Sequence, residues 1–202
     1  MSLEKTALIL IGFQNDYFAN DGILHSVIEE SSRATGSLAN TLSLLEHGGS
    51  RFGLVVSTPI HFTEDYSELE DPVGILATIR DVGAFKAGTR GAAVIDELAP
   101  YADLIREVPG KRGLNAFSNT DLDALLRAHD IEQIVLAGTV TSICIDSTGR
   151  SAAERGYKVV VLGDCTSGRT PFEQDFYCEH VFPLYANVID HGTLLAGLEQ
   201  AA

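Results

Sequence analysis

Positive charge is scarce in this sequence. Fourteen Lys and Arg stand against 28 Asp and Glu, a formal net charge of −14, which argues against nucleic acid or an anionic membrane as a partner. The acidic residues are spread along the chain, so they read as a solvated surface and not as an acidic tail. Cysteine is sparse as well. Cys144, Cys165 and Cys178 share no CxxC spacing, and an odd number of thiols leaves no complete disulfide framework. No apolar run has the length of a membrane span, and Met1-Ser2-Leu3-Glu4-Lys5 leads into a strand-sized run without the length of a signal peptide. A soluble, cytoplasmic protein is therefore expected. Neither G-x-G-x-x-G nor G-x-x-x-x-G-K-[ST] follows any strand-like run, so no phosphate-cradling loop is expected. H-E-x-x-H is also missing, and the six histidines (25, 47, 61, 129, 180, 191) are scattered with none at ligand spacing from a carboxylate. No metal and no cofactor are expected. Repeats, linkers and low-complexity stretches are lacking too, and 45% hydrophobic residues in a chain of 202 read as one domain over 1–202.

What is present is an alternation of apolar runs and helical patterns. Thr6 to Ile11 and Ile134 to Ala137 are continuous apolar runs, the mark of strands covered on both faces. Phe52 to Ser57, Leu104 to Val108, Lys158 to Leu162 and Ala186 to Ile189 supply further strands. Ala34, Leu38, Leu42 and Leu45 mark one helix face ending at His47-Gly48-Gly49. Residues 63–91 read as irregular apart from a helical patch near Val73 to Ile79. Asn119 or Thr120 opens a helix whose face carries Leu122, Leu125 and Leu126. Gly163 to Thr170 reads as a polar loop before a helix near Phe172 to His180, and a last helix closes the chain. This order predicts an α/β fold, a doubly wound, mostly parallel sheet with helices on both faces.

Position singles out Cys144. It follows the 134–137 strand and begins a helical pattern through Ile145, Thr148, Ala152 and Arg155. Open α/β sheets bind ligands at the carboxyl ends of their strands, and the first turn of a helix favours thiolate over thiol. A lone cysteine also serves as a small buried hydrophobe. Lys111, just past a strand and beside Pro109-Gly110, reads as a solvated charge unless it lies near the thiol, where it would stabilise a thiolate. His61 stands just after a strand end and could line a pocket.

Four stretches in order resemble the isochorismatase-like cysteine hydrolases, a family that includes nicotinamidases, N-carbamoylsarcosine amidases, and ureidoacrylate and biuret hydrolases. They are Ala7 to Phe18 with Gln14-Asn15-Asp16, Lys111 with Asn115-Ala116-Phe117 and Thr120-Asp121-Leu122, Gly138 to Cys144, and Tyr157-Lys158-Val159 followed by Asp164. The resemblance spans nearly the whole chain. It implies the three-layer fold, hydrolysis of a small amide or ureido C–N bond, Cys144 as nucleophile and Lys111 as the cation ordering the site's charges. It also implies a non-proline cis peptide at Thr139–Val140 and an oxyanion hole made by the Val140 and Cys144 amides. Homo-oligomers are usual in the family.

One member of the family's Asp-Lys-Cys triad is missing. The aspartate stands two residues before the Gln of Gln-Asn-Asp, a position held here by Gly12. Glycine cannot move a proton, and loss of a general acid–base commonly costs about 10²–10⁴ in rate. An engineered change, natural divergence toward a weak enzyme or another carboxylate such as Asp16, and a non-catalytic small-molecule-binding protein are all compatible with it; a strand-end glycine easing a turn is the plain alternative. Thr58-Pro59-Ile60-His61-Phe62 lacks the Asp-x-His of metal-dependent nicotinamidases, and the presence of Cys144 without the Asp is the reverse of true isochorismatases. Phe13, Phe18, His61, Phe62 and Tyr66 are expected at the pocket rim, and Phe117 in the core. A flavodoxin-like domain is the remaining alternative, weakened by the absent phosphate loop.

Overall fold

The computed structural model describes residues 3–199; the opening Met1-Ser2 and the three residues after Glu199 lie outside that range. Six strands form one sheet: β1 (Thr6–Ile11), β2 (Leu54–Thr58), β3 (Ile105–Glu107), β4 (Gln133–Thr139), β5 (Lys158–Ser167) and β6 (Asn187–Ile189). Their order is β3-β2-β1-β4-β5-β6 and every pairing is parallel. The chain builds outward from β1 to β3, then returns to lay β4 on the other side of β1. The strand order therefore reverses between β1 and β4, where doubly wound sheets open a crevice at the carboxyl ends.

Helices cover both faces. Eight are α-helical: α1 (Asn15–Phe18), α2 (His25–Thr35), α3 (Ser37–Gly48), α4 (Gly74–Val82), α5 (Leu122–Ala128), α6 (Asp146–Glu154), α7 (Pro171–Phe176) and α8 (His191–Glu199). Alternate side chains of β1 and β4 go to opposite sides. Ile9, Ile11, Ile134 and Leu136 meet Leu122 and Leu126 of α5, Ala152 of α6 and Cys144. Leu8, Leu10, Val135 and Ala137 meet Leu44 and Leu45 of α3 and Leu194 of α8. A third cluster, with Tyr17, Ile28, Phe62, Ile79, Phe85 and Val140, caps the carboxyl end of the sheet.

Several boundaries differ from those expected. The helix expected to run through Ala34, Leu38 and Leu45 is two helices, because Gly36 takes φ 69° and its N–H closes α2 on Ser32 O. The Gly12–Phe18 loop contains α1. The supposed loop from Gly163 is strand as far as Ser167, since a register shift after Leu136 lets Gly138 and Thr139 pair with Thr166 and Ser167. α5 starts at Leu122 rather than at Asn119 or Thr120, although the Thr120 hydroxyl still accepts the Leu122 N–H at 3.3 Å. β2 begins at Leu54 rather than Phe52. Among the described residues no helix is long and apolar enough to cross a membrane.

Candidate active site

β1 ends at Gly12, and the next residues tie its end to distant loops. The Gln14 amide nitrogen donates to Ile60 O (2.8 Å) and Ala92 O (2.7 Å), and its oxygen accepts the Ile60 N–H at 2.8 Å. Asn15 donates to Arg90 O at 2.9 Å. Asp16 accepts the Phe85 N–H at 2.6 Å. Burial pushes its carboxyl above the usual range, opposed by the Phe85 and Ile23 amides. A Cβ on Gly91 would lie 2.1 Å from the Asp16 carboxylate, so that carboxylate is enclosed by backbone. Gly12 itself has φ 75°, with the Thr139 carbonyl beside it.

β4 supplies the facing wall. The Thr139–Val140 peptide is cis. Val140 leads into one wide π turn, Thr141–Ile145, that runs on into α6. The Ile143 and Ile145 amides both donate to Val140 O, at 3.1 and 3.2 Å. Cys144 thus lies in the first turn of a composite helix, as its place in the chain predicts. The turn is pinned from α7: Thr141 Oγ1 donates to Gln174 Oε1 at 2.5 Å, while the Gln174 amide nitrogen donates to Gly163 O (2.8 Å) and Thr166 Oγ1 (2.9 Å) of β5. Ser142 Oγ donates to Glu173 Oε1 at 2.6 Å.

Lys111 completes the group. The Ala116 N–H donates to Thr148 Oγ1 of α6 at 3.0 Å, which docks the loop after β3 against the helix bearing Cys144. Lys111 is fully buried, and its Nζ donates to Cys144 Sγ at 3.5 Å; Cys144 is 3% exposed. Burial pulls the Lys111 amine below its ordinary value, while the charge and hydrogen bond of Cys144 act the other way. Tyr17, which the sequence reasoning passed over, is buried and interacts electrostatically with the same cysteine. Burial pushes its phenol up, and negative charge on Cys144 and Asp16 adds to the shift. The signal was its place in the Gln-Asn-Asp-Tyr run, where a helical α1 turns Tyr17 inward.

The five expected rim residues fall in different places. Phe13 is buried in the cluster on the sheet face opposite that of Cys144, stacked on Phe18 at 4.9 Å between centroids, and Phe18 also packs against the end cluster of Tyr17 and Val140. Phe62 and Tyr66 pack with Tyr17 and Val140 in the end cluster, and Tyr66 OH is committed to Ala84 O at 2.8 Å. His61 is half-buried, with Nε2 3.0 Å from Ala92 O. Phe117 is in the core with Cys144. A cleft of about 890 Å³ opens beside the π turn, lined by Ser142, Ile143, Ile75, Arg169, Glu173, Phe172 and Phe176 among others.

Histidine spacing in the sequence missed one pairing. The fold brings the start of α8 to β5, placing His191 Nδ1 2.5 Å from Asp164 Oδ2, and Asp164 Oδ1 accepts the His191 N–H at 2.9 Å. Cys165 lies within 4.8 Å of both side chains. Its thiol is pushed up by burial and by the charge on Asp164.

The sequence profile of the isochorismatase domain matches residues 6–193. Ureidoacrylate amidohydrolase of Agrobacterium fabrum is 29% identical over 176 residues, 81% of this chain and 76% of that protein. That of Methylorubrum extorquens is 30% identical over 182 residues, 83% and 72% of the two chains. The crystal structure of N-carbamoylsarcosine amidase from Thermoplasma acidophilum is 25% identical with a TM-score of 0.70, covering 93% of this chain and 96% of its own. A cysteine hydrolase from Pseudomonas syringae pv. phaseolicola reaches a TM-score of 0.84 at 22% identity, covering 100% and 96%, a likeness of fold.

Proposed function

This chain belongs to the isochorismatase domain family, and from that premise we propose that it hydrolyses a C–N bond of a small amide or ureido compound through a Cys144 thioester. The observation that carries the reading is the contact between Cys144 Sγ and the buried Lys111 amine at the carboxyl edge of the sheet. Cys144 is the nucleophile. Lys111 supplies the positive charge that favours its thiolate. The Val140 and Cys144 amides receive the developing oxyanion, each such donor being worth about 2.7–4 kcal/mol in other enzymes. The amide- and ureido-cleaving names of the relatives support the bond type. Gly12 in place of the family's carboxylate makes this a slow enzyme. Self-association into a homo-oligomer belongs to the same reading, and exposed Phe172, Phe176 and Leu184 support it.

Ammonia release over a panel of primary amides and ureas tests the reading. Turnover that disappears in Cys144→Ala is expected; turnover that survives the substitution overturns it. Gly12 favours a second reading, a small-molecule-binding protein without chemistry. Ligand protection of Cys144 from iodoacetamide, with no product formed on any compound of the panel, would establish that alternative.

A further inference from the structure

We propose that Lys111 itself carries the catalytic proton, taking it from the Cys144 thiol and delivering it to the leaving nitrogen, so that the pair works as a dyad in place of the triad. This rests on the hydrolase reading above. Lys111 has no exposed surface. Its hydrogen bond among the described residues goes to Cys144 Sγ, 3.5 Å away. Gly12 has no side chain to offer. Asp16, the carboxylate next along the chain, holds the Phe85 N–H at 2.6 Å and is walled in by Gly91. Among the described residues Cys144 is the charged group that acts on Lys111. The buried Tyr17 phenol also feels the charge on Cys144.

A buried ammonium without a counter-charge is costly, and such a group escapes by losing its proton or by gaining an anion. Cys144 provides the second route. The pair can be amine with thiol or ammonium with thiolate, and its net charge is the same in both. One proton is therefore common to the two groups, and burial works toward the neutral amine. An Asp beside them would fix the lysine as a permanent cation; its absence frees the lysine to act.

The steps balance. Neutral Lys111 takes the Sγ proton, and the thiolate forms the S–C bond as the carbonyl electrons move to oxygen. The C–N bond then breaks, with the Lys111 ammonium giving its proton to the departing nitrogen. Water attacks the thioester as the Lys111 amine takes one of its protons, and the C–S bond breaks to release the acid. The proton on Lys111 returns to sulfur.

Two measurements on the full chain test this. p-Nitrophenyl acetate has a leaving group that needs no proton, so acetylation of Cys144, read by mass spectrometry, isolates removal of the thiol proton. At pH 7 the native chain should acetylate on the order of 10²-fold faster than Lys111→Met. The gap should narrow as pH rises, because hydroxide then removes the thiol proton unaided. Equal rates at pH 7 overturn the role of Lys111 while leaving the nucleophile in place. No acetylation of either chain at high pH overturns the hydrolase reading together with the dyad. The second measurement is carbon NMR of the ε-carbons of the four lysines. In Cys144→Ala the Lys111 signal should titrate about one pH unit or more lower than in the native chain, having lost its counter-charge. A Lys111 titration that ignores the loss of Cys144 overturns the proposal, whether or not Lys111→Met folds.

Discussion

At Gly12 the backbone sits at φ 75°, and a Cβ there would lie 2.7 Å from the Thr139 carbonyl oxygen and 3.0 Å from Thr139 Cγ2. Any side chain must shift β4 where the turn bearing Cys144 begins. Gly12→Ala should lower the unfolding free energy by about 1–3 kcal/mol, measured by urea denaturation. Gly12→Asp carries the same strain, so its carboxylate would arrive with a displaced Thr139 carbonyl. The place of Cys144 in a helical turn just after a strand was legible in the sequence. The burial of Lys111 was not, because Pro109-Gly110-Lys111 has the composition of a surface turn. The hydrogen bond from Ala116 to Thr148 is what draws that loop inward, and residues 32 apart leave no local trace of it. Reading the Gly12–Phe18 stretch as a polar and aromatic loop hid the α1 turn, which buries Tyr17 and leaves Phe18 stacked on Phe13.

Gln174 links three elements: α7, which bears it, the π turn through Thr141, and β5 through Gly163 and Thr166. It is buried, so Gln174→Ala leaves the Thr141 and Thr166 hydroxyls and the Gly163 carbonyl without that partner. The expected cost is about 1–3 kcal/mol in urea denaturation, and hydrogen exchange at Ser142 to Ile145 should quicken more than exchange in α3. Element type could be read wherever an apolar run or a helical stripe was long. Breaks within a stripe could not. The spacing from Ala34 to Leu38 stays helical across Gly36, although the left-handed glycine ends one helix there and starts another, and α2 buries only Ile28 and Ser31 among its charged and small residues. β5 was cut short because Gly163-Asp164-Cys165 looks like loop; only its pairing with the end of β4 makes it strand.

For the whole molecule, the alternation of strands and helices was enough to give the class of fold, since right-handed crossovers leave few ways to arrange parallel strands. The surface charge has its own consequence. With −14 on the chain, self-repulsion works against folding at neutral pH, so salt should raise the urea midpoint at pH 7. Acid acts in the opposite direction. The Arg90 hydrogen bond holds Asp21 low, and the Thr193 amide and hydroxyl hold Asp190 low. Folded values below the unfolded ones mean stability that is complete above the ordinary carboxylate range and is lost as pH falls through the lowered values. Asp16 is raised, so it runs the other way and softens the decline. The midpoint should therefore hold from pH 7 to about 5 and fall below about 4, as acid titration followed by circular dichroism would show. Gly138 carries a last implication. A Cβ there would lie 1.8 Å from Ile11 O, so β1 and β4 meet there as bare backbone. Their parallel pairing from Thr6–Gln133 to Ile11–Gly138 ties the two walls of the crevice together. Tolerance for bulkier guests has to come from the loops above, which makes those loops, and not the sheet, the place where a change of diet would be written.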